Sequence, residues 1–215
     1  VDKEEIPQHM LDAFVAIEDE RFYSHNGFDL FRTTKAVFVH FFNKITNRPT
    51  TFGGSTITQQ LLKNNVFTGW TSENSTIDKV KRKIQEQYLA LELEKVMDKD
   101  TILENYMNTI NLGQNTLGVQ SASLRYFNKD VSKLTLSECA VISGITQNPS
   151  KYNPISRPEK NAERREKVLR NMLEQGYISQ AEHDEALADN VYDRIQTINI
   201  EVGDDTINSY FVDAL

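Results

Sequence analysis

The chain has 215 residues, enough to bury one sizeable core with a smaller appended lobe. Its hydrophobic content of 39% and charged content of 26% are typical of a globular domain, and its one cysteine excludes an internal disulfide framework. A net charge of −7 argues against nucleic acid or an anionic membrane as a partner. The sequence begins with Val1 and has neither a signal-peptide pattern nor an apolar run of about 18 to 20 residues, so we interpret it as a fragment, with any membrane anchor outside it.

Helical patterns dominate the first part of the chain. Pro7 suits the first position of a helix, and apolar residues follow it at helical spacing. A second helix is predicted over about 29–45, and the stretch 46–54, which contains Pro and paired Gly, is predicted as a loop. Ser55 is then expected to cap a third helix.

A long helix is predicted over about 76–97. At about 100° per residue, one stripe of this helix is apolar and a roughly opposite stripe is charged. The apolar stripe is Ile77, Val80, Ile84, Tyr88 and Leu91, and the charged stripe is Lys79, Arg82, Lys83 and Glu86. Considered in isolation, the charged stripe is a solvated face with an Arg82–Glu86 pair one turn apart.

Three capping boxes of the S/T-x-x-E type predict helix starts in the second half of the chain. They are Thr135 with Glu138, Ser156 with Glu159, and Ser179 with Glu182. Gly176 is placed to end the helix that begins near Pro158. Alternating apolar residues from Ile198 to Val202 predict a short strand near the end. The pattern as a whole predicts a mainly α fold with one principal domain and a small extended tail.

Charge is distributed unevenly along this sequence. Residues 30–72 contain no acidic residue and carry +5, which, out of a total of −7, leaves −12 for the remainder. The basic residues are Arg32, Lys35, Lys44, Arg48 and Lys63. Because the same region holds most of the phenylalanines and the only tryptophan, it has the chemistry of an interfacial membrane surface. A core helix whose lysines and arginines reach outward to water is the equally simple alternative.

The segment from Glu18 to Gly27 collects acidic residues, aromatic residues, a histidine and a glycine at the end of a helix. A carboxylate at a helix end beside apolar rings is a candidate general base. Taken alone, Glu18 would be interpreted as a surface acid and His25 as a structural hydrogen-bonding residue. The neighbouring motifs change that interpretation.

Five motifs follow one another with compatible spacing. They are Glu18-Asp19-x-x-Phe22-x-x-His25-x-Gly27, then Gly54-Ser55-Thr56-Ile57-Thr58-Gln59-Gln60 with Lys63, then Arg82-Lys83-x-x-Glu86, then Lys99-x-x-Ile102-Leu103-x-x-Tyr106-Met107-Asn108, and finally Leu117-Gly118 with Ala122 and Tyr126-Phe127. This ordered set resembles the peptidoglycan glycosyltransferases, which form the transglycosylase domain of class A penicillin-binding proteins. Leu117 departs from the Arg or Tyr of the family, and Met107 from its usual Leu, and both departures affect packing more than chemistry.

The resemblance implies a lysozyme-like α-helical domain with a small membrane-proximal jaw subdomain. It also implies polymerisation of lipid II into β-1,4-linked glycan strands, with release of undecaprenyl pyrophosphate. The growing glycan would be the donor, the 4-hydroxyl of the next lipid II would be the acceptor, and Glu18 would be the general base. Direct displacement would invert the anomeric carbon without a covalent intermediate.

The resemblance assigns further site residues as well. Glu86 would be the second catalytic carboxylate, and cationic side chains would stabilise the charge that develops on the pyrophosphate. The expected substrate-binding residues are Asp19, Phe22, His25, Ser55, Thr56, Gln59, Gln60, Lys63, Arg82 and Lys83. No residue is expected to be a dedicated metal ligand, and a divalent cation (Mg²⁺ or Mn²⁺) at the pyrophosphate is left open.

Residues 1–190 are expected to form the glycosyltransferase domain, with its jaw at about 29–72. Residues 191–215 resemble the start of a linker toward a transpeptidase domain. The lipid-facing residues of the jaw would be Phe38, Phe41 and Phe42. The expected partners are lipid II, the growing glycan, the membrane surface and the cell-wall synthesis machinery, with no nucleic acid. The expected location is the extracytoplasmic face of a bacterial cytoplasmic membrane.

Two other classes of function fit parts of the pattern. A muramidase that hydrolyses the same polymer also uses a catalytic glutamate on an α-helical scaffold. However, hydrolysis of a neutral glycosidic bond does not require the cations Lys63, Arg82 and Lys83. A non-catalytic glycan-binding or membrane-binding module would need neither Glu18 nor Glu86.

Overall fold

A computed structural model describes residues 1–46, 53–67 and 75–197. Across these ranges the chain forms α-helices and short 3₁₀ turns, with no β-strand. This arrangement confirms the mainly α prediction. The short strand predicted from Ile198 to Val202 lies outside the described residues, as does most of the loop predicted at 46–54.

The described residues form nine α-helices. In chain order they are α1 (Gln8–Glu18), α2 (Leu30–Ile45), α3 (Ile57–Asn65), α4 (Thr76–Val96), α5 (Lys99–Thr109), α6 (Val119–Phe127), α7 (Leu136–Gly144), α8 (Pro158–Glu174) and α9 (Gln180–Ala188). Short 3₁₀ turns occur at Lys3–Glu5, Phe22–Ser24, Val131–Lys133 and Val191–Arg194. None of the helices in these ranges combines the length and the apolarity that a membrane span requires.

The cap of α3 differs from the prediction by one residue. Thr56, and not Ser55, is the N-cap: its hydroxyl oxygen accepts a hydrogen bond from the Gln59 backbone N–H at 3.2 Å. The Gln59 side chain in turn accepts one from the Thr56 backbone N–H at 3.2 Å, which completes a capping box. The Ser55 prediction was wrong because its neighbour has the reciprocal partner three residues on. Ser55 is left available for another contact.

Two of the three predicted capping boxes, those that begin at Thr135 and Ser179, are present. The box predicted at Ser156 is absent, because α8 begins at Pro158 with Arg157 as its N-cap. A proline disfavours helical geometry in the residue before it, and Arg157 accordingly has φ −143° and ψ 53°. The helix therefore cannot start early enough for Ser156 to cap it.

Helix α1 lies at the centre of the fold and packs against both α7 and α8. Its residues Met10 and Phe14 are fully buried, and the Phe14 ring meets the ring of Tyr106 on α5 edge-on, with 6.1 Å between centroids. Helix α3 packs against α4 and α5. The end of α1 reaches the start of α3, where the Ile57 backbone N–H donates to the Asp19 carboxylate at 3.0 Å.

The chain continues to pack against the domain beyond residue 190. Val191 is fully buried in the main core, and the Gln196 backbone N–H donates to the Tyr126 carbonyl at 2.8 Å. The Arg125 guanidinium donates to the Gln196 carbonyl at 2.8 Å. The packed part of the domain therefore includes residues 191–196.

The apolar stripe of an amphipathic helix normally faces the core, but that of α4 faces away from it. Its apolar stripe, Ile77, Val80, Ile84, Tyr88 and Leu91, faces outward with 41–74% of each residue exposed. Its inward face carries Glu86, which is 1% exposed, and Ala90, which is fully buried. The Arg82–Glu86 pair is present, and the charged stripe is only partly a solvated face: Lys79 is exposed, but Arg82 and Lys83 are half-buried and Glu86 is buried. The buried face of α4 is therefore partly ionic.

Gly27 sets how closely the segment after α1 approaches α4. Its φ of +78° lies in the left-handed region, and a Cβ atom at this position would come within 2.3 Å of the Ala90 carbonyl oxygen. Gly176, which follows α8, has the same φ but no atom within 4 Å of such a Cβ. Substitution of the two glycines therefore separates the free-energy cost of left-handed backbone strain from that of close contact with α4.

We predict that G27A lowers the free energy of unfolding by about 3 kcal/mol, because left-handed strain and steric overlap add at this position. G176A, the matched control, should lower it by about 1 kcal/mol, because only the strain remains. Urea denaturation followed by circular dichroism measures both values. Equal losses in the two variants would contradict the close contact between Gly27 and α4.

Candidate active site

Glu18 is the last residue of α1, and 9% of it is exposed. Its Oε1 accepts a hydrogen bond from the Thr146 hydroxyl at 2.5 Å, and its Oε2 accepts one from Gln60 Nε2 at 3.0 Å. The Arg164 guanidinium lies 3.8 Å from Oε1. These partners come from α3, from the turn after α7 and from α8, so one carboxylate joins three elements to the end of α1. A carboxylate with so little exposure requires such donors.

A buried tyrosine fixes the orientation of the Gln60 amide. The Tyr106 hydroxyl donates to Gln60 Oε1 at 3.2 Å, so the NH₂ group of the amide faces Glu18. Burial raises the pKa of Tyr106 well above its ordinary value, and the carboxylates of Glu18 and Asp19 raise it further. Tyr106 therefore stays neutral and remains a hydrogen-bond donor at physiological pH.

Asp19 follows Glu18 in sequence but faces the interior. It is fully buried, and its Oδ2 lies 3.0 Å from both the Ile57 backbone nitrogen and His25 Nε2. An ionised carboxylate has no proton to donate, so His25 carries a proton on Nε2 in this contact. The Arg32 guanidinium lies 3.6 Å from Oδ1. Asp19 thus ties the end of α1 to the first turn of α3, where the helix dipole also favours a negative charge.

Three other residues predicted to bind substrate, Phe22, Thr56 and Gln59, are buried in the same region. Besides capping α3, the Thr56 hydroxyl donates to the Gly27 carbonyl at 2.7 Å. Lys99 Nζ lies 4.4 Å from the centroid of the Phe22 ring, in a cation–π contact. The structure therefore places these side chains against the core, where they hold the backbone of the first two motifs.

A second buried carboxylate, Glu86, is held by cations on its own helix. Its Oε1 pairs with Arg82 Nη1, and its Oε2 pairs with Lys83 Nζ at 3.0 Å. Lys83 Nζ also donates to the Ser55 hydroxyl at 2.8 Å and lies 3.4 Å from Gln59 Oε1. Because Thr56 takes over the capping of α3, the Ser55 side chain is free to join α3 to α4 through Lys83.

Lys63, on α3, is the third cation of this group, and we call Lys63, Arg82 and Lys83 the basic cluster. Burial lowers the pKa of Lys63, an effect that Glu86 opposes and that Lys83 and Arg82 strengthen. Glu18 also acts on Lys63, in the same direction as Glu86. Lys63 is therefore within electrostatic reach of both buried carboxylates. Three cations around Glu86 leave a net positive charge, which suits an anionic ligand.

A cavity of about 220 Å³ opens beside Glu18. Its lining includes the cationic side chains of Arg21, Arg32, Lys35, Arg164 and Lys167, together with the carboxylates of Glu20 and Asp29. Burial lowers the pKa of Lys167, and the nearby guanidinium groups of Arg164 and Arg170 lower it further. Among the lining residues that the structure describes, none belongs to the basic cluster. Cations therefore lie near Glu18 in two separate groups.

The described site is rich in cations and poor in metal ligands. Within the ranges that the structure describes, no three His, Cys, Asp or Glu side chains converge in the way that a metal site requires. Both oxygens of Glu86 already pair with cationic side chains. The cationic side chains of the site thus provide positive charge directly.

The sequence motifs predicted most residues of this site but not two of the partners of Glu18. Thr146 lies 128 residues away in sequence, and no local pattern indicates its contact with Glu18. Arg164 belongs to an Arg-Arg pair inside the region of resemblance, but its residue type alone does not indicate which carboxylate it faces. Tyr106 lies in the fourth motif, and that position could have indicated that it belongs to the site.

Comparison with known proteins finds a matching family model and several similar relatives. A family model described as Transglycosylase matches residues 1–173. Penicillin-binding protein 1A of Clostridium botulinum (strain Langeland) is 46% identical over 194 residues, which is 88% of this chain and 23% of that protein. The protein of the same name from Clostridium novyi is 47% identical over 191 residues, which is 86% of this chain and 22% of that protein. The protein of the same name from Haemophilus influenzae is 43% identical over 183 residues, which is 85% of this chain and 20% of that protein. The chain thus spans about a fifth to a quarter of these relatives.

A solved structure of penicillin-binding protein 1A from Haemophilus influenzae has a similar fold. It aligns with 100% of this chain and 20% of its own, with a TM-score of 0.54 and 24% sequence identity. At that identity the likeness concerns the fold alone, and it confirms the predicted lysozyme-like α-helical architecture. The family model matches well over half of the sequence, and the curated relatives are 43–47% identical to it. The chain therefore belongs to the Transglycosylase family, as its ordered motifs predicted.

Proposed function

We propose that this domain is a peptidoglycan glycosyltransferase that polymerises lipid II into β-1,4-linked glycan strands and releases undecaprenyl pyrophosphate. The observation that carries the proposal is the Glu18 carboxylate, which donors hold beside a cationic cavity and within electrostatic reach of the basic cluster. A reaction that joins two pyrophosphate-bearing substrates at one hydroxyl needs a base near two groups of cations. Membership of the Transglycosylase family supports this reaction class.

In the proposed reaction, Glu18 accepts the proton of the acceptor 4-hydroxyl as that oxygen attacks the anomeric carbon of the growing glycan. The bond between this carbon and the pyrophosphate oxygen breaks as the new glycosidic bond forms, and the pyrophosphate leaves with the electron pair. Attack opposite the leaving group inverts the anomeric carbon. Gln60 and Thr146 hold the carboxylate for proton transfer.

The basic cluster is the proposed site of the leaving pyrophosphate. Its cations would stabilise the negative charge that develops as the bond breaks, and Arg82 can bind phosphate oxygens in bidentate geometry. Glu86 holds Arg82 and Lys83 in place, so we assign it an orienting role at the pyrophosphate. If a divalent cation takes part, we propose that it enters bound to the pyrophosphate.

The cavity beside Glu18 is the proposed entry for the acceptor. Arg32, Arg164 and Lys167 on its walls would then face the acceptor's own pyrophosphate. In the same scheme, the buried residues Asp19 and His25 position Glu18 and the start of α3 without touching substrate. The predicted binding roles of Phe22, Thr56 and Gln59 are proposed to be indirect in the same way.

The alternative function is a muramidase that cleaves the glycan. Both functions use Glu18, but in a retaining hydrolase the second carboxylate acts as a nucleophile and in an inverting one it activates water. Glu86 pairs through both oxygens with cations, which favours a phosphate-directed role over either hydrolytic one. We therefore propose the transferase as the function of this site.

A membrane-facing surface is proposed on α2 and α4. On α2, the side chains of Leu30, Phe31, Phe38 and Phe42 are 52–70% exposed, and the apolar stripe of α4 is exposed as well. The side chains of Phe41 and Lys44 lie outside the described residues. Exposed aromatic and aliphatic residues on an otherwise charged domain suit contact with lipid, where the substrate resides. The predicted jaw at about 29–72 would include the α2 part of this surface.

We further propose that the domain works at the extracytoplasmic face of the bacterial cytoplasmic membrane, together with the cell-wall synthesis machinery. The linker expected at residues 191–215 would begin with residues that pack against the domain, 191–196, and would lead to a transpeptidase domain. The chain covers 20–23% of the relatives named penicillin-binding protein 1A, so those proteins contain further segments.

We predict that E18Q lowers the rate of lipid II polymerisation about 10²- to 10⁴-fold, because the amide cannot accept the acceptor proton. The readout is the formation of long, lysozyme-sensitive glycan by purified protein in detergent. E92Q is the matched control, because Glu92 is a partly exposed carboxylate on α4 that pairs with exposed Lys95. Wild-type polymerisation by E18Q would exclude Glu18 as the base, and release of soluble muropeptides by the wild type would favour the muramidase.

For the basic cluster, K83M is expected to lower kcat about 100-fold, because the departing pyrophosphate loses a cation. K81M provides the control, since Lys81 is exposed on the same helix and should change kcat less than about twofold. Single-substrate kinetics with lipid II in detergent measures both. Equal rates in the two variants would argue against a role for Lys83 at the pyrophosphate.

The double variant F38S/F42S should lower binding to anionic phospholipid vesicles at least about tenfold in a flotation assay, because each buried ring contributes about 1.5–3 kcal/mol. L124S on α6 removes a side chain of comparable exposure from another helix and should leave binding unchanged. Unchanged flotation of the double variant would remove α2 from the proposed membrane-facing surface.

A further inference from the structure

Thr146 provides the one hydroxyl group among the three side chains described above as partners of Glu18. It lies in the turn after α7, and its hydroxyl oxygen is 2.5 Å from Glu18 Oε1 and 2.9 Å from the Ser143 carbonyl oxygen. A hydroxyl group has one proton to donate and can also accept. Thr146 therefore has two possible acceptors for one proton, and only one of them can be served at a time.

The partners of Glu18 differ in what they can do when its charge changes. Gln60 presents an NH₂ group to Glu18, because Tyr106 occupies the oxygen of the amide. Arg164 has only N–H donors. Both can stabilise an ionised carboxylate, but neither can accept a proton from a carboxylic acid. Among these three partners, Thr146 alone can donate to the ionised form and accept from the protonated form.

We propose that Thr146 is a positioning residue that keeps Glu18 in one orientation through both of its protonation states. This inference rests on the proposed role of Glu18 as general base. Before proton transfer, the Thr146 hydroxyl donates to the ionised carboxylate. After transfer, the neutral acid donates to the Thr146 oxygen, and the Thr146 proton turns to the Ser143 carbonyl. The base can then lose its proton and repeat the cycle without changing its rotamer.

Other charged or titratable groups on the neighbouring helices also act on Glu18, whether or not Thr146 is present. Arg164 and Lys167 on α8 and Lys63 on α3 are cations that act on Glu18, and Tyr106 on α5 lies within electrostatic reach. All of them remain when Thr146 is replaced. A change in the pH dependence of a Thr146 variant therefore reports on the hydroxyl.

The test compares T146V, which keeps the shape without the hydroxyl, with T146S, which keeps the hydroxyl. Lipid II polymerisation is measured across pH in detergent. T146V is expected to lower kcat about ten- to hundredfold with KM changed less than about twofold, because a hydrogen bond to a charged group is lost. The acidic limb of its pH–rate profile should move to higher pH, because the charge-assisted bond to the ionised form is the stronger of the two. T146S should restore both properties.

Several outcomes would overturn the proposal. They are a wild-type kcat and pH profile in T146V, a lower melting temperature as its only defect, or a failure of T146S to restore activity. If wild-type protein does not polymerise lipid II, the proposed function fails, and ¹³C NMR of labelled glutamate then decides the inference separately, with E18Q used for assignment. A Glu18 signal that titrates at higher pH in T146V than in wild type supports the contact, and an unchanged titration overturns it.

Discussion

A carboxylate that is withdrawn from water must be surrounded by donors, and this requirement organises the centre of the domain. Glu18 and Asp19 are adjacent at the end of α1, and both are buried. Their donors come from α3, from the turn after α7 and from α8. The elements that surround the site are therefore held together by the residues that form it, and the geometry of the site and the local stability depend on the same contacts.

The same requirement is met on α4, where the buried carboxylate Glu86 is paired with cations. The inward part of the charged stripe is the buried Glu86 with its partners Arg82 and Lys83, whereas Lys79 on the same stripe is exposed. The apolar stripe faces outward. A net charge of −7 for the chain conceals this arrangement, because the cations are concentrated near the buried carboxylates and in the acid-free stretch 30–72. An overall acidic protein can thus contain a strongly cationic site.

Local patterns predicted local structure well and long-range contacts poorly. The helices α1, α2, α4 and α8 lie where spacing and breaker residues place them, whereas the caps at Ser55 and Ser156 failed because a neighbouring residue determined the start of the helix. Within the site, the motifs named Glu18 and the basic cluster. The contact with Thr146 joins residues 128 apart, and the apolar stripe of α4 faces outward while Glu86 is buried in an ion pair, so neither arrangement can be derived from periodicity.

The different surroundings of the Glu18 and Asp19 side chains limit how the sequence of α1 can change. Glu18 is the last helical residue of α1, whereas the backbone of Asp19 leaves the helix with φ −156° and ψ 70°. The Glu18 carboxylate therefore lines the cavity while the Asp19 carboxylate bonds the start of α3. Insertion or deletion of a single residue within α1 would rotate this end of the helix by about 100° relative to its buried face. Both carboxylates would then be carried away from the donors that hold them. The length of α1 is thus constrained to the residue, and sequence drift in this helix can proceed only by substitution.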